Sequence, residues 1–161
     1  MDRDSSSLHK NLTQEEYLEY LRATKNELKL SFADIAEKLG RDELYVAAFF
    51  FGQAKPDKND RSKLQEIFQG KANNIDQYFG DHYYPSRGDL DPVPPKDPVL
   101  YRLYEAIMVY GRPIQSIIQE KFGDGIMSAI DFRGHVEKVE DPKGDRVKIT
   151  FDGKFLPYRR W

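Results

Sequence analysis

A mainly α-helical fold with a small β tail is what this sequence predicts, and three observations predict it. Hydroxyl-x-x-acid starts open runs of helical apolar spacing between residues 13 and about 80. Pro85, Pro92, Pro94, Pro95 and Pro98 then crowd one short stretch, too many for a helix or an interior strand. After a further helical run, the last third changes to a period of two.

Residues 1–12 are polar and Ser-rich, the composition of a flexible N-terminal tail. Thr13-Gln14-Glu15-Glu16 reads as a capping box, and Tyr17, Leu18, Leu21 and Leu28 continue it as the first helix. Ser31 to Asp34 is a second such start, carried by Ile35, Ala36 and Leu39 to Gly40, which suits a left-handed stop. A third helix is predicted from about Asp42 through Phe51, a fourth over Lys63 to Phe68, and a short turn over Asn74 to Phe79. Residues 13–81 are thus one helical bundle, 82–98 a Pro-rich linker, and 99–161 a separate C-terminal domain.

Asp97-Pro98 begins that domain as an N-cap with proline at the first helical position. The spacing predicts a helix to Tyr110, a stop at Gly111, and a shorter helix over Pro113 to Lys121. Val136, Val139, Val147, Ile149 and Phe151 alternate with polar residues, Asp141 to Asp145 supplies a turn, and Asp152-Gly153 reads as a two-residue hairpin turn. Two or three isolated strands are marginal in water, so the tail is expected to pack on a second copy of the chain.

Composition bounds the chemistry. The 161 residues suffice for one ordinary domain with a short appended module. Absence of Cys removes thiolate catalysis, disulfides and sulfur-ligated zinc. No apolar run is long enough for a membrane span, and MDRDSSSLHKN lacks a signal-type segment, so a cytoplasmic address is expected. Lys plus Arg number 25 against 27 Asp plus Glu, and a net charge of −2 draws the chain to neither nucleic acid nor membrane.

Ser31 to Phe51 has helix-turn-helix form of the lambda-repressor-like type, with Ala36 at the helix crossing, Gly40 in the turn and Val46 as anchor. Its second helix, however, opens Asp42-Glu43 and continues aromatic, where a base reader needs Arg, Lys, Asn or Gln. A non-DNA-binding bundle is expected; the alternative is a transcriptional regulator that dimerises through its C-terminal strands.

On the helix after the linker, Leu100, Leu103, Tyr104 and Ile107 form an apolar stripe expected to face a core. Arg102 and Glu105 share the other side with Ala106 and Val109, which suits a subunit interface better than open solvent. Gly123-Asp124-Gly125 reads as a turn whose amides can approach a small ligand closely. Ser128 follows without a His partner or nucleophile-elbow setting, so binding by hydrogen bond is its expected role. His9, His82 and His135 lack metal-ligand spacing, and no metal is expected.

Three runs carry a family resemblance: PKDPVLYRLYEAIMVYG (Pro95–Gly111), EKFGDGIMSAIDF (Glu120–Phe132) and DGKFLP (Asp152–Pro157). In order and spacing the chain resembles the cyanase (cyanate hydratase) family over about Ser31 to Pro157. The resemblance implies that Arg102, Glu105 and Ser128 are the catalytic residues, with Arg102 and Ser128 also binding substrate. It implies a lyase that detoxifies cyanate, consuming bicarbonate as co-substrate and giving ammonia and carbon dioxide through carbamate, without metal or organic cofactor. It further implies a decamer of five dimers with intertwined C-terminal strands, and a helix-turn-helix that is purely structural. Asp131 stands where bacterial members often have Asn.

Overall fold

The computed structural model describes residues 12–88 and 91–161. Residues 1–11 of the expected tail, with His9, and Asp89 and Leu90 of the expected linker lie outside the described residues. Two compact units compose the chain: the described residues through Arg87 with Gly134–Thr150, and Gly88–Arg133 with Phe151–Trp161.

The first unit holds α1 (Gln14–Glu27), α2 (Phe32–Leu39), α3 (Glu43–Phe50), α4 (Lys58–Ile67) and α5 (Ile75–Phe79). Thr13 and Ser31 close reciprocal capping boxes with Glu16 and Asp34, satisfying amides that a helix start leaves without partners. Gly40 ends α2 in the left-handed region at φ 69°, which a side chain would strain. The helix-turn-helix spacing is realised: Ala36 and Val46 are both buried where α2 packs on α3. α4 begins five residues earlier than the Lys63 start the spacing predicts. Its cap is Asp57, paired reciprocally with Asp60, and an Asp-x-x-Asp start is a weaker signal than a hydroxyl followed by Glu.

The core of this unit is aromatic. Tyr17, Phe49, Phe50, Phe68 and Phe79 are almost wholly removed from water. Each such ring contributes about 1.5–3 kcal/mol through burial. Tyr17 stacks on Tyr78 with centroids 3.8 Å apart, and its hydroxyl donates to the Asn73 carbonyl at 3.0 Å, so the polar end is not orphaned. Asp60, 1% exposed, accepts from Arg41 Nε at 2.9 Å and ties α4 to the turn after α2.

α6 (Pro98–Phe122) dominates the second unit, capped by Asp97, whose Oδ1 accepts from the Val99 and Leu100 amides at 2.9 and 3.0 Å. The two helices expected on either side of Gly111 are one continuous helix of 25 residues with Pro113 inside it. Proline there removes a single amide donor and Gly111 costs backbone entropy, whereas regular apolar spacing on both sides favours continuation. The helix stops instead at Gly123, φ 89°.

β1 (Gly125–Val139) and β2 (Arg146–Pro157) form a two-stranded sheet. The Asp141 to Asp145 turn joins them, with Asp141 Oδ1 accepting from the Lys143 amide at 2.9 Å. Asp152-Gly153, expected to be a second turn, lies inside β2. The tail is therefore two long strands and not three short ones. At the base of the sheet Phe122 stacks on Phe155, centroids 5.2 Å apart, and Tyr158 N–H donates to the Asp124 carbonyl.

Candidate active site

Arg102 and Glu105 lie one turn apart on α6, and Arg102 Nη1 donates to Glu105 Oε2 at 2.7 Å. That i,i+3 geometry follows from helical spacing alone. The side chains are 72% and 50% exposed, so the pair stands in water in the single chain. Arg102 also lies over the Tyr101 ring, with its guanidinium carbon 5.9 Å from the centroid.

The apolar stripe of α6 does not face a core. Leu100, Leu103 and Ile107 are all exposed, and no residue of the helix is buried. A two-stranded sheet offers too little surface to cover a helix of seven turns, so both faces of α6 remain open in one chain.

Ser128 is placed differently from the loop position its neighbours suggest. It lies within β1 and is 5% exposed. Its Oγ accepts from the Ile130 and Asp131 amides, each at 3.0 Å. A serine hydroxyl has two acceptor lone pairs and one proton, so both lone pairs are engaged and the proton is free to be donated. Such a hydroxyl is poorly disposed to act as a nucleophile and well disposed to hold an anion. No hydrogen bond among the described residues links Ser128 to Arg102 or Glu105; the chain presents the pair and the serine as separate groups.

Those two bonds are local to β1, from the amides two and three residues on. Phe132 pairs with Phe151, centroids 5.4 Å apart, while the Ser128 carbonyl lies against Gly153. The two strands thus approach closely at the Ser128 peptide, where a glycine faces it. Sequence reading missed Gly153 here. Glycine within a strand pattern signals a bulge or a close backbone approach, and the Asp-Gly dipeptide masked that signal as a turn.

A cavity of about 670 Å³ lies in the helical unit, lined by Lys55, Asp57, Lys58, Arg61, Asp76 and Asp81 among others. None of the three site residues lines it, and its buried Arg61 is engaged by Asp76 and the Pro56 carbonyl. Among the described residues, no group of three or more His, Asp or Glu is arranged to hold a metal ion. No helix of the described residues is long and apolar enough to cross a membrane.

Residues 92–160 match the family model of the cyanate lyase C-terminal domain. A cyanate hydratase of Mycosarcoma maydis is 58% identical over 143 residues, covering 88% of this chain and 88% of that protein. This chain belongs to the cyanate hydratase family. A cyanate hydratase of Synechococcus sp. (strain CC9311) is 52% identical over 88% of this chain and 92% of its own length. The crystal structure of cyanase from T. urticae superposes with a TM-score of 0.70 at 28% identity, covering 88% of this chain and 96% of that one. Cyanate hydratases are enzymes, carbon–nitrogen lyases, and the regulator alternative is not favoured.

Proposed function

We propose that this cyanate hydratase decomposes cyanate in a bicarbonate-dependent reaction, with Arg102, Glu105 and Ser128 as its catalytic residues. The observation that carries the proposal is the donor-only hydroxyl of Ser128, on the same chain as an arginine held by a carboxylate. Cyanate and bicarbonate are both small anions that repel each other. Arg102 supplies a permanent, planar cation, and Ser128 supplies a hydrogen-bond donor that competes for no proton of its own. Holding both anions in attack geometry contributes several kcal/mol of barrier lowering, roughly 7 or more where alignment is good.

A bicarbonate oxygen attacks the cyanate carbon, and a proton is delivered to the nitrogen. As the adduct loses carbon dioxide, the proton that bicarbonate brought passes to the nitrogen and leaves carbamate, which takes up a second proton from solvent and gives ammonia and a second carbon dioxide. Glu105 orients Arg102 through their hydrogen bond, and relay of one of these protons is the further role proposed for it. The balance closes without an oxidant, metal or organic cofactor.

No hydrogen bond among the described residues links Arg102 to Ser128 in one chain, and α6 buries none of its residues. The proposed working form is therefore a homo-oligomer, a decamer of five dimers, that covers the apolar faces of α6 and of the sheet and assembles each site from several subunits. No nucleic acid or membrane enters the reaction. A charged share of 32% and an anionic, freely soluble pair of substrates fit a cytoplasmic enzyme that removes cyanate.

The test is ammonia release from cyanate by the purified chain, with and without bicarbonate, beside Arg102→Ala. Bicarbonate-dependent release that the variant loses is the expected result; no release from an assembled oligomer overturns the proposal.

A further inference from the structure

We infer that Gly153 is a positioning residue for Ser128, acting through a contact between the two strands. The inference rests on the proposed role of Ser128. A methyl group at Gly153 would overlap the Ser128 carbonyl oxygen and come within 2.6 Å of Met127 Cγ. Gly153 is not among the glycines with positive φ, so backbone freedom is not what the position demands. What it demands is space: β2 must close on the Ser128 peptide with no side chain between them.

The closeness has a chemical consequence. The Ile130 and Asp131 amides return to Ser128 Oγ, and the Ser128 peptide from which that hydroxyl projects is held against β2 at Gly153. Gly153 thus sets the position of the Ser128 peptide, and the two amide bonds keep its hydroxyl as a donor. An alanine would force the strands apart by about 1 Å, a displacement that in an active site costs on the order of a hundredfold in rate.

The test compares wild type, Gly153→Ala, Ser128→Ala and the double variant in bicarbonate-dependent ammonia release, with oligomer size followed by sedimentation. Gly134→Ala, which adds a methyl to β1 against Leu44, controls for a purely structural loss. Gly153→Ala is expected to keep wild-type size and lose about a hundredfold in kcat, whereas the double variant is no slower than Ser128→Ala. Amide exchange at Ile130 and Asp131 is expected to be slow in wild type and fast in both single variants. Undiminished turnover in Gly153→Ala, losses that multiply in the double variant, or loss of wild-type size overturns the inference. If the wild type itself releases no ammonia, the functional proposal falls, and the exchange measurement still decides whether Gly153 holds Ser128.

Discussion

Leu44 occupies the space that a side chain at position 134 would need: a methyl on Gly134 would overlap Leu44 Cδ2 and lie 3.3 Å from its Cγ. Beside this contact Asp42 Oδ1 accepts from the Gly134 amide at 3.5 Å, and Glu43 Oε2 lies 3.4 Å from His135 Nδ1. The first turn of α3, which in a DNA-reading helix-turn-helix meets base edges, here holds the middle of β1. Gly134→Ala is expected to destabilise the chain by about 1–2 kcal/mol, and Leu44→Ala added to it to recover part of that loss. Chemical denaturation midpoints of the single and double variants measure both.

Arg102→Ala is expected to lower kcat/KM by on the order of a hundredfold or more, the usual effect of removing a preorganised donor from a developing negative charge. Its unfolding midpoint should stay near wild type, because an exposed ion pair is worth about 1 kcal/mol or less. Arg102→Lys keeps the charge but not the planar fork, and is expected to fall between the two. Steady-state kinetics beside denaturation separate catalytic from structural loss.

Arg41→Ala should do the opposite. Asp60 is almost fully enclosed and keeps only the Asp57 amide, at 3.2 Å, once the guanidinium is gone. Leaving that carboxylate without its cation is expected to cost about 2–3 kcal/mol, somewhat under the range for a fully buried pair because Arg41 is 37% exposed. Thermal unfolding reports it.

Stability should fall at both ends of the pH scale. The Thr13 amide holds the Glu16 carboxyl below its usual value, the Ser31 hydroxyl does so for Asp34, the Asp60 amide for Asp57, and Lys148 for Glu137. A carboxyl depressed in the folded state stabilises above its unfolded pKa near about 4 and loses that contribution as pH falls through the folded value. Three of the four sit at the N-termini of α1, α2 and α4, so helix content should drop first on acidification. Burial raises the Tyr17 phenol, and its neutral form stabilises fully below about pH 10 and is lost as pH rises further. Melting temperature by circular dichroism across pH should show a plateau bounded at those two values.

The sequence by itself determined the elements whose local signals are strong and uncontested. Capping boxes at Thr13 and Ser31, the left-handed stop at Gly40 and the Asp97-Pro98 start need only neighbouring residues, and all four are realised. Arg102 and Glu105 meet because helical spacing puts them one turn apart, and the family runs were legible in one dimension. Contacts between distant segments were not legible. Gly111 and Pro113 read as a break, but a long helix absorbs one missing hydrogen bond. Asp152-Gly153 reads as a turn, and only the approach of Ser128 from another strand shows why glycine stands there. The donor-only state of Ser128 depends on two amides turned toward its hydroxyl where β2 closes on its peptide, and no residue spacing encodes which segments of two strands meet until they are paired.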